Sequence, residues 1–357
     1  MFTVEMLPAQ RGDCLWLTYG TAAGRHHVLV DAGPQDTIGT LVPELERRIA
    51  ALPGRSNRLE LLVVTHVDAD HVQGVVSLLS DPRRLRLFRD VWFNGYRHLV
   101  PEPDDLLGGL DGERLTTTLL TDPSRWNRAF DGGPVQLPDD GPPPVVRLRG
   151  GLTLTVLGPR PSVLARLAPE WEKACRKAGI LPGRGAEITR PSWRRSDLLG
   201  LDVGALAAAP YRRDSSRANA AGISLVAEFD GRRVLLLGDA PAEEVIAGLD
   251  RLGPGPHTFD AVKMSHHGSR RNTSLRLLER LRSRVWLVST DGAVFGHPDP
   301  EALARVVTTQ DRPTFVFNHV GDSVLDWVEG AGERWRVRPP RRRRDGSHGA
   351  GVTHRVA

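Results

Sequence analysis

Residues 61–79 constrain this chain more than any other stretch. Residues 61–65, LLVVT, read as a buried strand, and 72–79 read as a helix. Between them His66, Asp68, Asp70 and His71 place four metal-ligand side chains within six residues. A tight turn at that junction directs all four into one space. A lone histidine at a strand end is more often a satisfied polar residue than a ligand. Two carboxylates and two imidazoles buried together are different, because without a cation their burial is expensive. The stretch reads as a metal site carried on a strand-to-helix turn.

The remaining pattern predicts what supports that turn. Strands at 2–6, 14–19 and 27–30 are separated by Gly and Pro, and a helix follows at 37–50. Residues 96–151, rich in Pro, Gly and Asp, read as loop or insertion. A strand at 152–157 precedes a second insertion at 160–220, mixed and Arg-rich, with a helix at 170–178. Strands at 223–229 and 233–237 are joined by Asp230-Gly231, the strongest hairpin signal in the chain. Helices at 241–249, 274–281 and 300–307 then alternate with strands at 260–264, 285–289 and 314–317, and an antiparallel pair at 323–328 and 334–337 closes the fold. Strands covered by helices in both halves predict a layered α/β domain. Two more strand ends deliver acid or imidazole: 235–237 runs into Gly238-Asp239, and 261–264 into Ser265-His266-His267-Gly268-Ser269. Gly-Asp alone is a common turn, but three such ends together favour one shared, dinuclear site.

Composition limits the partners. With 357 residues, 40% hydrophobic and 25% charged, the chain buries a substantial core and is neither disordered nor fibrous. Six of the 48 Lys and Arg, but one of the 43 acids, lie in 338–357, so residues 1–337 carry 42 of each. The body is neutral, and the basic excess sits in a tail that reads as disordered and able to add salt-dependent attraction to nucleic acid. Cys14 and Cys175 lie far apart, which fits a reduced, cytoplasmic protein. No apolar run approaches the ~18 residues of a membrane span, so membrane insertion is not expected. Trp16, Trp92, Trp286 and Trp327 lie in strand-like runs and read as core.

These motifs resemble the metallo-β-lactamase-fold hydrolases, and within them the soluble metallo-β-lactamase-like domain of the ComEC-type DNA-uptake proteins. The family's HxHxDH signature stands here as His66-x-Asp68-x-Asp70-His71, with Asp in place of the second His. Gly12-Asp13, LVDAG at 29–33, the segment 219–224, LLLGDA at 235–240, SHHGS at 265–269 and Gly-His-Pro at 296–298 follow the order of that branch. The resemblance spans residues 2–320 apart from the two insertions. It implies a four-layer αββα sandwich over 1–337 and two divalent cations, zinc or manganese with magnesium as an alternative. His66 and Asp68 would serve one and Asp70 and His71 the other. Asp239 would bridge them, and one of His266 and His267, with a slight preference for His267, would complete the second site. No His occurs between Gly158 and Asp239 to match the family's third motif. The first site is therefore expected to be weaker, water-filled, or completed by Asn219, Ser224 or His266.

The carboxylate of Asp68 makes the first site harder than an imidazole would, shifting preference from zinc toward manganese or magnesium. Two such cations ~3.5–4 Å apart hold a hydroxide and clamp the attacking and leaving oxygens of a phosphodiester. Asp70 is the expected general base. His297 is a candidate for holding phosphate or protonating the leaving oxygen, against the plainer reading of a loop histidine capping the next helix. Lys263, Ser269 and Asn272 are candidate phosphate or supporting contacts, against capping of the helix near Ser274. In the family, residues such as Asp13 and Asp31 brace the metal loop. The expectation is a metal-dependent phosphodiesterase, first of all a nuclease acting on DNA. Without the channel helices of the uptake proteins, an effector role in a defence or conflict system fits better than import. A hydrolase of small esters, lactones or phosphoesters is the alternative, and a non-catalytic scaffold with a decayed site the second alternative.

Overall fold

Alternating burial along β1 (Phe2–Met6) and longer apolar runs in β2 (Leu15–Thr21), β3 (Gly24–Val30), β4 (Leu61–Val63) and β5 (Val91–Trp92) build the first sheet. This is seen in a computed structural model that describes residues 1–21, 24–52, 58–99, 110–178, 202–342 and 349–356. The second half supplies β6 (Val145–Arg147), β7 (Thr153–Gly158), β8 (Ser224–Phe229), β9 (Arg232–Leu236), β10 (His257–Phe259), β11 (Ala261–Lys263), β12 (Leu281–Ser283), β13 (Val285–Val288), β14 (Thr314–Phe317), β15 (Arg336–Arg338) and β16 (Val352–Arg355). The first sheet has the order β16-β1-β2-β3-β4-β5 and the second β15-β14-β13-β11-β9-β8-β7-β6, while β10 and β12 form a separate parallel pair.

Helices cover both outer faces. They are α1 (Ile38–Ala50), α2 (Ala69–Leu78), α3 (Leu110–Leu119), α4 (Pro161–Ala165), α5 (Ala168–Ala178), α6 (Val203–Ala208), α7 (Arg217–Ala220), α8 (Ala242–Asp250), α9 (Leu275–Glu279), α10 (Pro300–Thr309) and α11 (Asp322–Glu329). The sheets face each other across a core of Val4, Leu17, Val28 and Val63 against Val156, Leu225, Val234 and Leu287. On the outer face of the first sheet, Leu29, Leu62 and Val64 meet Leu45 of α1 and Val75 of α2. On the second, Leu235, Val262 and Trp286 meet Leu249, Leu278 and Leu303. The layers run α, β, β, α, and β4 lies fully buried between two of these cores, which is why it reads as a continuous apolar run.

Three expectations are corrected. The segment read as a strand at 323–328 is α11: Val324 and Trp327 are buried one helical turn apart, with Gly321 and Gly330 at the two caps. Its supposed partner β15 pairs parallel with β14 instead, Phe315 opposite Val337. Nor is the tail wholly without structure, since β16 pairs antiparallel with β1, Val4 opposite His354. Alternation in VTHRV turns His354 and Val356 inward, a pattern the preceding arginine run obscures. Residues 343–348 lie outside the described ones.

The described parts of both insertions pack rather than loop free: Val203 and Ala207 of α6 join the core of the second outer layer, while α3 and α5 add to the first outer layer. Leu115 and Leu119 of α3 and Trp171 and Cys175 of α5 join its core, and Trp171 Nε1 donates to Glu113 Oε1 at 3.0 Å. Trp16, Trp92, Trp286 and Trp327 are core residues as expected, although Trp327 is helical. No helix among the described residues is long and apolar enough to cross a membrane.

Candidate metal centre

Parallel pairing brings the ligand loops to one edge. β3 pairs parallel with β4, and β9 with β11, so the segments following these strands leave in common directions. After β4 the chain turns at His66 and enters α2 with Asp68 as its N-cap. The Asp68 side chain makes no capping bond, although an aspartate there ordinarily binds the first-turn N–H groups. Its carboxylate stands 3.7 Å from His66 Nε2 instead. Gly12 is required beside this turn because a Cβ there would meet the Asp70 carbonyl oxygen at 1.9 Å. Asp31, His266 and His267 all have left-handed backbones, with φ of 55°, 48° and 55°. Each such non-glycine residue costs about 1–2 kcal/mol, and adjacent His266 and His267 place two of them side by side at this site.

Four imidazoles converge on Asp239. His71 Nε2 lies 3.4 Å from Asp239 Oδ1, while His66, His267 and His266 place Nε2 at 3.7, 3.7 and 3.8 Å from Oδ2. His71 and His267 stand 3.3 Å apart through Nε2, and Asp70 Oδ2 is 3.2 Å from His267 Nε2 and 4.0 Å from His71 Nε2. Donor atoms about 2.0–2.1 Å from a tetrahedral cation stand about 3.4 Å from one another, so these spacings suit shared cations. His66 Nε2 and Asp239 Oδ1 are buried without hydrogen-bond partners, and such orphaned polar atoms call for a ligand. Asp13, His71, Asp239 and His267 each offer a ligand atom, all within 4.8 Å of one another. The donor set fits one or more divalent cations.

The far nitrogen of each ring is held. His71 Nδ1 donates to Asp31 Oδ2 at 2.8 Å, and Thr65 donates to the same carboxylate through its N–H at 2.8 Å and its hydroxyl at 2.6 Å. With its proton given to Asp31, Thr65 Oγ1 accepts from His66 Nδ1 at 3.0 Å. His267 Nδ1 donates to the Ser289 carbonyl at 2.9 Å, with Asp13 Oδ1 at 3.5 Å. His266 Nδ1 lies 3.1 Å from Asn272 Oδ1 and 3.3 Å from Asp214 Oδ2. Proton donation from Nδ1 leaves each neutral ring with its lone pair on Nε2, facing the centre.

Electrostatics show a centre built for positive charge. Burial by itself would lower the His71 pKa, but the carboxylates of Asp239, Asp70 and Asp31 hold it well above the usual range. His267 is likewise pushed up to about 10, against burial, chiefly by Asp239 and Asp13. Asp70 is lowered to about 2 against burial by His71 and His267, and Asp239 is driven well below its ordinary value by His71, His267 and His266. Asp68 moves the other way: its seat within the recess, with Asp70 and Asp239 nearby, raises it, although its carboxylate is partly open to solvent.

The expected residues divide into those facing the centre and those supporting it. His66, Asp68, Asp70, His71, Asp239, His266 and His267 all face it, so both histidines of the pair point inward. His297 borders it, with its ring 5.3 Å from that of His266 and Nδ1 3.6 Å from Asp299. Asp31 meets the ring of His71 and Asp13 that of His267. Lys263 is not available to a phosphate: it is fully buried and donates to Asp13 Oδ2 at 2.6 Å and to the Met264 carbonyl at 3.1 Å. Ser269 is buried and accepts from the Arg271 N–H at 3.3 Å. Ser224 donates to the Leu237 carbonyl at 3.3 Å, and Asn219 donates to Asp214 at 2.7 Å while its Oδ1 is buried without a partner. Asn272 donates to the Asp239 carbonyl at 2.9 Å. Thr65, Ser289 and Asp214 escaped the sequence reading. Only Asp214 carried a local signal, the D-x-S turn in which its carboxylate accepts the Ser216 N–H at 3.0 Å.

No family model matches the chain, and no curated protein matches it. Solved structures do. A diphosphatase of the PhnP family is 9% identical, with a TM-score of 0.39 over 99% of this chain and 98% of its own. A subclass B3 metallo-β-lactamase from a soil metagenome library is 11% identical, with a TM-score of 0.30 over 74% of this chain and 76% of its own. A mutant of CmlA β-hydroxylase is 12% identical, with a TM-score of 0.36 over 99% of this chain and 54% of its own. The chain thus spans about half the length of that last protein.

Proposed function

We propose that the protein is a metal-dependent phosphodiesterase with DNA as its substrate. The observation that carries this reading is the convergence of His66, His71, His266 and His267 on Asp239, with Asp68 beside His66 and Asp70 beside His267. These residues would hold divalent cations. When bound, such ions polarise a phosphoryl oxygen and acidify water enough for attack near neutral pH. A donor set with three aspartates is hard and anionic, and suits the oxygen-rich coordination of a phosphoester better than a lactam. The order of motifs shared with the DNA-uptake domain favours a nucleic acid over a small phosphoester.

The protein's own groups divide the work. Asp70 and Asp239, with carboxyl pKa values lowered by the histidines, remain anions across the working pH range. Asp68 has the most exposed carboxylate of the set, at 41%, and with its raised pKa is better suited than Asp70 to accept a proton from attacking water. His297, at the border and with Nδ1 3.6 Å from Asp299, would protonate the leaving oxygen.

The test is hydrolysis of linear and circular DNA, single- and double-stranded, with manganese, magnesium or zinc, beside an Asp70→Ala/His71→Ala double variant. Metal-dependent cleavage lost in the variant is the expected result. Stoichiometric metal binding without cleavage of any DNA would overturn the nuclease reading and move the substrate to small esters or phosphoesters.

A further inference from the structure

We propose that His266 completes the cation position on the His66–Asp68 side, in place of a histidine absent from residues 159–238, and that Asp214 on the second insertion is the positioning residue that aims it. This rests on the reading of the centre as a cation site. It goes further by assigning a donor to an incomplete position and a role to an insertion.

Three observations carry it. First, His266 and His66 bring Nε2 to nearly the same distance from one oxygen of Asp239, 3.8 and 3.7 Å. Asp68 stands beside them, 3.7 Å from His66 Nε2, so two imidazoles and a carboxylate gather near that oxygen, which His267 Nε2 also approaches at 3.7 Å. Of the other residues able to fill the gap, Ser224 gives its proton to the Leu237 carbonyl and Asn219 its amide N–H to Asp214, with Asn219 Oδ1 buried and without a partner.

Second, His266 is backed by a carboxylate as His71 is backed by Asp31. Asp214 Oδ2 stands 3.3 Å from His266 Nδ1, and Asn272 Oδ1 accepts from the same nitrogen at 3.1 Å. Asn219 Nδ2, also 3.3 Å from that nitrogen, donates instead to Asp214. A ring whose Nδ1–H is bound in this way presents Nε2 as the free donor.

Third, Asp214 is itself fixed from several directions. It is buried and accepts from Asn219 Nδ2 at 2.7 Å, Asn272 Nδ2 at 3.1 Å and the Ser216 N–H at 3.0 Å. Among the described residues no Lys or Arg pairs with it, and His266 is its one ion-pairing partner. A buried carboxylate held this rigidly against a single imidazole serves to orient that imidazole. Asn272 links the arrangement back to the centre by donating to the Asp239 carbonyl at 2.9 Å. The left-handed backbone of His266, φ 48°, completes the aim.

The test is metal content by mass spectrometry after dialysis of the full-length protein against manganese or zinc, together with the visible absorption of the Co2+-substituted protein. Wild type is expected to retain two equivalents. His266→Ala and Asp214→Ala should each retain one, lose the same Co2+ absorption component, and show no further loss when combined. Asp214→Asn preserves size and one acceptor oxygen, giving up the Ser216 bond, and should weaken the first equivalent about 10- to 100-fold while leaving the second equivalent and the native fold in place. Two unchanged equivalents and an unchanged Co2+ spectrum in both Asp214 variants would overturn the assignment while leaving the cation site standing. Loss of both equivalents together with the native fold in Asp214→Asn would overturn it too, by making the residue a structural one. A wild type that binds no metal would bring down the functional reading itself.

Discussion

Lys263 and Asp13 show at the scale of single residues how this centre is supported. Both are buried, they meet at 2.6 Å, and the other oxygen of Asp13 faces the ring of His267. Removing one partner leaves a buried charge uncompensated, so Lys263→Met is expected to cost about 3–5 kcal/mol, measurable by urea unfolding. His98 offers a pH test away from the centre. Its Nδ1 accepts the Gly95 N–H at 3.1 Å and its Nε2 donates to the Gly132 carbonyl at 3.0 Å, a neutral ring whose burial lowers its pKa to about 4. The unfolded chain binds that proton near pH 6.5, whereas the fold binds it only near pH 4. The stabilisation is therefore full above pH 6.5 and is lost as pH falls toward 4, by on the order of 3 kcal/mol. His98→Gln should flatten that part of the stability-versus-pH curve; an unchanged slope would refute the assignment. Sequence reading works at this scale where partners are close along the chain. His66, Asp68, Asp70 and His71 declare themselves within one turn, while Asp214 meets His266 and Asn272 only after folding.

Elements depend on contacts that no local pattern reveals. Strand ends and helices near the ligands were legible because apolar runs and turn residues mark them, yet α11 was read as a strand because its short apolar run fits either period. Its burial decides the matter, with Val324 and Trp327 inward and Leu325 exposed. In the same way, Gly74 looks like an ordinary glycine within a helical pattern. Its place is fixed by packing, since a Cβ would lie 1.8 Å from the Ala32 carbonyl oxygen and its N–H donates to Gly33 at 2.9 Å. Gly74→Ala must push α2 away from the turn after β3, and α2 carries Asp70 and His71. We expect a loss of at least about 1–3 kcal/mol and weakened metal binding in parallel. A variant that melts lower yet binds metal with wild-type affinity would separate helix position from the centre and contradict this coupling.

Across the whole molecule, the layered α/β architecture followed from strands covered by helices in both halves, and two sheets with helices on both outer faces are what the fold contains. The insertions resisted prediction because their helices are short and bury themselves against elements distant in sequence, α3 and α5 in the first outer core and α6 in the second, rather than within a regular repeat. They are nonetheless tied to the centre: Gln73 of α2 donates to Asp111 of α3 at 3.0 Å, and the segment carrying Asp214 reaches His266. The loops after the strands of both sheets and the second insertion would thus act together in holding cations. The most direct measurement is anomalous diffraction from crystals grown with manganese or zinc. Two peaks flanking Asp239 are predicted, one among Asp70, His71 and His267 and the other among His66, Asp68 and His266. Crystals grown with either metal that show no anomalous peak at Asp239 would contradict it.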